Sequence, residues 1–162
     1  MHRARSSAKS WADVPGQRTR ALAVMEPSIT SYLVPKLPAT FRAGSFRISE
    51  ASPPVVVFHA IHPAVGDVVV HDDGDEVTVE CGNFTHTHFA NYDDGIDNAE
   101  RAKRIADAVL GFLRDLFADQ IELYGSHKSG GGWRRVSRGP LERESTSLFG
   151  GQSYVWSGPK SK

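Results

Sequence analysis

One pattern constrains this chain more than any other. Ala102, Ile105, Ala106, Val109, Leu113, Leu116 and Phe117 recur at spacings of three and four, which is the period of one face of an α-helix. The spacing predicts an amphipathic helix from about Asn98 to Ala118. Asp97 stands where an N-cap belongs, Glu100 follows three residues later as its capping-box partner, and Asp93, Asp94 and Asp97 suit the positive end of the helix dipole. A stripe of this width must be buried, and it needs a sheet beneath it.

Strands are legible on both sides of the helix. A β-branched run, Val55 to Ile61, follows Pro53 and Pro54 and ends at Pro63 and Gly66. Val68 to His71 and Val77 to Cys81 flank Asp72-Asp73-Gly74-Asp75, in which Asp73-Gly74 reads as the centre of a two-residue hairpin turn. That register opposes Val70 to Val77, Val68 to Val79 and His71 to Glu76. Gly82-Asn83 reads as a second two-residue turn, leading into a strand from Phe84 to Ala90. Counting across it sets His86 opposite Val79 and His88 opposite Val77, so both histidines share the apolar face with Phe84; a three-residue turn would reverse that parity. Ile121 to Tyr124, Trp133 to Val136 and Tyr154 to Trp156 read as further strands, with Ser126 to Gly132 as a flexible Gly-rich connection. Strands grouped on either side of a single helix predict an α+β fold: one antiparallel sheet of about five to seven strands with the helix on one face.

Residues 1–30 show no period and are rich in Arg and Ser, and they read as a disordered extension, with Trp11 the one apolar exception and Met25 a candidate start. Residues 31–52 read as an extended lead-in broken by Pro35 and Pro38, with a short strand within Phe41 to Ile48; residues 53–162 form the domain. Cys81 is the lone cysteine, so no intrachain disulfide is available. No apolar run reaches the roughly 20 residues of a membrane span, and the start lacks a signal-peptide core, which points to a cytoplasmic protein with no membrane partner.

The formal net charge of zero conceals a segregation. Residues 51–100 hold ten carboxylates and not one Lys or Arg, whereas residues 1–50 hold eight Lys/Arg against three Asp/Glu. Asp72, Asp73, Asp75, Glu76, Asp93 and Asp94 form the candidate face for a basic protein partner, and such a face repels nucleic-acid phosphates. The basic cluster Trp133-Arg134-Arg135 with Arg138 and Arg143 is therefore a weak argument for nucleic-acid binding.

The residues that could carry chemistry are few. Thr85-His86-Thr87-His88 puts two imidazoles on one face of a strand, where they can converge on an ion; zinc suits a nitrogen-rich set, with His59 the first candidate for a third ligand and His62, Cys81 or Asp67 the alternatives. No paired Cys-x-x-Cys spacing supports it. Asp72 to Glu76 lacks the alternating ligands of an EF-hand, and Ser126 to Gly132 lacks the Gly-Lys-Ser/Thr ending of a phosphate loop. With no assembled catalytic set, the sequence points to a non-catalytic module of the immunity or adaptor kind. A small metal-dependent enzyme or metal sensor built on His86 and His88 is the alternative.

Overall fold

The computed structural model describes residues 28–126, 128, 130–136 and 152–160. In chain order it contains helices α1 (Ile29–Leu33) and α2 (Leu37–Thr40), strands β1 (Phe46–Ile48), β2 (Val56–Phe58), β3 (Val68–Asp72), β4 (Glu76–Cys81) and β5 (Thr85–Ala90), and helix α3 (Asn98–Phe117). Strands β6 (Ile121–Ser126), β7 (Gly130–Arg135), β8 (Tyr154–Val155) and β9 (Gly158–Pro159) follow. The protein is α+β with antiparallel pairing throughout, but the strands divide into two sheets, β1-β2-β3-β4-β5 and β7-β6-β8-β9, instead of forming one.

Helix α3 forms where its period and cap require. The Asp97 carboxylate accepts the Glu100 backbone N–H at 2.7 Å. The reciprocal half of the capping box is replaced, because the Glu100 carboxylate instead accepts from the Arg104 Nε at 2.9 Å. Ile105, Ala106, Val109, Leu113 and Leu116 are buried against the inner face of the five-stranded sheet, whose Val56, Phe58, Val68, Val70, Val77, Val79 and Cys81 are buried in turn. Phe112 packs between Phe89 of β5 (ring centroids 5.3 Å apart) and Trp133 of β7 (5.0 Å), so one side chain joins the helix to both sheets. Phe117 does the same further along, against Phe58 at 4.8 Å and Trp156 at 4.7 Å.

Residues 29–40 are helical, which overturns the reading of residues 28–30 as part of a disordered extension and of the first half of the 31–52 lead-in as extended. Ile29, Leu33 and Leu37 lie four apart and are fully buried, with α1 packed against α3. Pro35 and Pro38, read as breakers, occupy first-turn positions of the 3-10 turn Val34–Lys36 and of α2, where a missing N–H costs nothing. Only β1, at the end of the lead-in, is extended as a strand. The expectations for residues 1–27, including Trp11 and Met25, lie outside the described residues.

The first hairpin keeps the expected faces with a shifted turn. Val70 pairs with Val79, Val68 with Cys81 and His71 with Thr78, which centres the turn on Gly74-Asp75; the Asp73 N–H donates to the Glu76 carbonyl at 3.0 Å. Each strand gains one paired residue, a change of two in register, so the valines stay inside. The second hairpin differs in parity. Val79 pairs with Thr87, Thr78 with His88 and Glu80 with His86, which leaves Gly82, Asn83 and Phe84 as a three-residue turn and turns both histidines away from the valine face.

Two contacts from the preceding loop enforce that turn. The Asn83 backbone N–H donates to the Val65 carbonyl at 2.8 Å, and its side-chain amide donates to the Ala64 carbonyl at 3.2 Å. Gly82 sits at φ +56°, and a Cβ there would lie 1.9 Å from the Val65 oxygen, so only glycine fits. The extra residue, Phe84, is buried with its ring 5.0 Å from Tyr154 of β8. The reversed parity also gives the helix Phe89 to pack against instead of two imidazoles, which would lose their water.

The Gly-rich segment is a strand and not a flexible connection. Gly130, Gly131 and Gly132 pair with Ser126, Gly125 and Tyr124. Glycine is needed because a Cβ on Gly131 would stand 2.0 Å from the backbone oxygen of Phe84, where the two sheets meet.

Gly131→Ala is therefore expected to destabilise the protein by roughly 1–3 kcal/mol or more in chemical denaturation. Gly111→Ala, in the middle of α3 with nothing within 4 Å of the added Cβ, should stabilise it by about 0.5–1 kcal/mol. Equal responses of the two variants would contradict the close approach at Gly131.

Candidate functional site

Two surfaces carry the polar groups singled out in the sequence. The first is the outer face of the five-stranded sheet, opposite α3. Because side chains alternate along a strand, Arg47, Val57, Val69, His71, Thr78, Glu80, His86 and His88 face this side while their neighbours face the core. His86 and His88 are exposed, with ring centroids 5.1 Å apart and planes at 86°. His88 Nδ1 lies 3.1 Å from Thr78 Oγ1 and 3.2 Å from Glu76 Oε1, and Thr78 Oγ1 donates to Asp73 Oδ2 at 2.7 Å. His71 Nε2 is 3.4 Å from Glu80 Oε1.

His59 does not join this group. It follows β2 and meets Asp67 at 3.4 Å, and three strand spacings of about 4.8 Å separate β2 from β5. No set of three or more His, Cys, Asp or Glu side chains among the described residues is arranged to hold a metal ion.

The second surface is one end of the same sheet. Glu76 pairs with Ala90, so the exit of β5 lies beside the β3–β4 turn. Asp73, Asp75 and Glu76 thus neighbour the 91–97 loop, although some twenty residues separate them in sequence. Asp93 is partly committed: it accepts the Gly95 N–H at 2.9 Å and pairs with Arg104 at 3.3 Å. Asp75 and Asp94 are exposed, with no ion pair among the described residues, and Tyr92 beside them is 86% exposed.

Asp72 has turned inward. It is buried, and its carboxylate accepts the Thr30 N–H at 2.8 Å, the Thr30 hydroxyl at 2.9 Å and the Gly74 N–H at 3.1 Å. It caps α1 across 42 residues of sequence and has no surface left for a partner.

Two buried ionisable groups are structural. Cys81 lies among the valines, and burial pushes its thiol pKa up to about 12, which makes it unreactive. Glu122 of β6, which sequence reading passed over as an ordinary alternating strand residue, is buried. Burial alone pushes its carboxyl pKa up, but hydrogen bonds from Arg134, Lys160 and Ser153 and the Lys160 charge prevail and hold it at about 2. Arg134 Nη2 lies 3.0 Å and Lys160 Nζ 2.6 Å from its two oxygens, so Glu122 ties β7 and the segment after β9 to β6.

The basic cluster is likewise engaged. Arg134 meets Glu122, Arg135 pairs with Asp115, and Trp133 packs on Phe112; Arg138 and Arg143 lie outside the described residues. No helix among the described residues is long and apolar enough to cross a membrane. No protein-family model, curated protein or solved structure matches the chain.

Since the Glu122 pKa is lowered from 4.5 to about 2 on folding, its contribution to stability is fully present above pH about 4.5 and is lost as the pH falls towards 2. The stability advantage of the wild type over Glu122→Gln should shrink across that window by up to about 3 kcal/mol, an upper bound because Arg134 and Lys160 reach solvent. Denaturant titrations at a series of pH values would show it, and a difference independent of pH would contradict the pairing. Cys81 should react with a thiol reagent only after unfolding; rapid labelling of the native protein would contradict its burial.

Proposed function

We propose that this protein is a non-catalytic interaction module, of the immunity or adaptor kind, that docks a basic protein partner at the acidic end of its five-stranded sheet. The observation that carries this reading is the pairing of Glu76 with Ala90, by which two separate acidic segments share one end of the fold. Asp75 and Asp94 contribute charge that nothing among the described residues balances. Tyr92 contributes an exposed aromatic surface next to them, and tyrosine is among the residue types enriched at interface hot spots. A carboxylate-rich rim around an aromatic ring favours lysine- and arginine-bearing partners and speeds their approach. Asp72 and Asp97 take no part, since each is spent on a helix N-terminus.

The reading is tested by titrating the protein against a panel of small basic proteins and a matched acidic panel, at low and at high ionic strength. Complexes should form within the basic panel alone and weaken as salt is raised. The double variant Asp75→Lys/Asp94→Lys should lower affinity roughly tenfold or more while leaving the unfolding transition unchanged. Absence of any complex, or complexes indifferent to salt and to the charge reversal, would overturn it.

A further inference from the structure

The hydrogen bonds around His88 fix where its proton resides. The Thr78 hydroxyl has a single hydrogen, and it is given to Asp73 Oδ2 at 2.7 Å, since an ionised carboxylate can only accept. Thr78 Oγ1 can then only accept from His88 Nδ1, 3.1 Å away, and Glu76 Oε1, 3.2 Å from the same nitrogen, is also an acceptor. The Thr78 hydrogen bond therefore requires the hydrogen on Nδ1, and the Glu76 carboxylate beside it favours the same arrangement. In the neutral ring Nε2 therefore carries the free lone pair. His86, two residues along β5 on the same exposed face, has no side-chain hydrogen bond or ion pair among the described residues.

The geometry points to a two-histidine chelate: we propose that His86 and His88 bind one divalent transition-metal ion on the outer face of the sheet. The rings stand 5.1 Å apart with their planes at 86°, near enough for one nitrogen of each to reach a shared ion. A carboxylate holding the far nitrogen of a metal-bound imidazole orients the ring and raises its basicity. Here Asp73 does so through Thr78, and the Glu76 carboxylate, 3.2 Å from the same nitrogen, adds its charge. Glu80, paired with His86 across the strands, adds negative charge favourable to a cation. No third protein ligand is arranged beside the pair among the described residues. Water completes the coordination, and the ion exchanges freely without holding the fold together. Imidazole donors select zinc, nickel and copper over magnesium or calcium. The site does not depend on the docking reading, because Asp75→Lys/Asp94→Lys touches neither histidine.

Calorimetric titration of the whole chain with zinc chloride, and separately with magnesium chloride, tests the assignment. Zinc should bind and magnesium should not. His86→Ala and His88→Ala should each weaken zinc binding roughly tenfold or more, and Glu76→Gln, which keeps both ligands, should weaken it about tenfold. Both histidines are exposed, so the metal-free variants should unfold at the wild-type temperature. In the wild type, zinc should perturb the imidazole resonances of His86 and His88 before those of His59, His62 or His71, a readout that needs no variant. Zinc affinity unchanged in both alanine variants, first perturbation at other histidines, or no zinc binding to the wild type would each overturn the proposal.

Discussion

The Val65 carbonyl decides which way the side chains of β5 face. It accepts the Asn83 N–H at 2.8 Å and leaves no room for a Cβ on Gly82. With Asn83 also held by Ala64, the turn between β4 and β5 takes three residues in place of two. Because strand side chains alternate, that one residue reverses every position of β5. Phe89 turns in towards Phe112 of the helix, His86 and His88 turn out to solvent, and Phe84 is left to fill the gap between the two sheets. The helix, the second sheet and the histidine face all inherit their relationship from this turn.

The acidic block loses much of its apparent functional content once its partners are known. Asp72 holds the first turn of α1, Asp97 holds that of α3, Asp67 accepts the Ala60 N–H, and Asp93 closes its own loop. These groups satisfy backbone donors that would otherwise lack partners. Of the six that remain, Glu80 lies on the outer face of the sheet and Glu100 pairs with Arg104, while Asp73, Asp75, Glu76 and Asp94 are gathered at one end of the sheet by strand register. Asp73, through Thr78, also orients His88, and Glu76 stands 3.2 Å from the same ring nitrogen, so the two candidate surfaces adjoin.

What the sequence revealed was what local rules decide. Helix α3 was legible because its period and its cap at Asp97 lie within a few residues of each other, and the valine faces of β3 and β4 were legible because a register shift of two leaves them unchanged. Helix α1 was not legible, since its cap comes from Asp72 and its prolines sit in first turns, where they do no harm. The outward aim of His86 and His88 was hidden for the same reason: it depends on Val65, eighteen residues before Asn83. Glycines at 130–132 resemble a loop in any local reading, and only the approach of the Phe84 backbone explains them as strand. Glu122 looked like a routine strand residue because Lys160, which binds it, is 38 residues away.

Nuclear Overhauser contacts across the β4–β5 backbone measure the parity directly. A three-residue turn brings Thr78 opposite His88 and Val79 opposite Thr87, and contacts joining those pairs are expected. Contacts joining Val77 with His88 and Val79 with His86 would mean a two-residue turn, with both imidazoles beneath the helix, and would contradict the three-residue one.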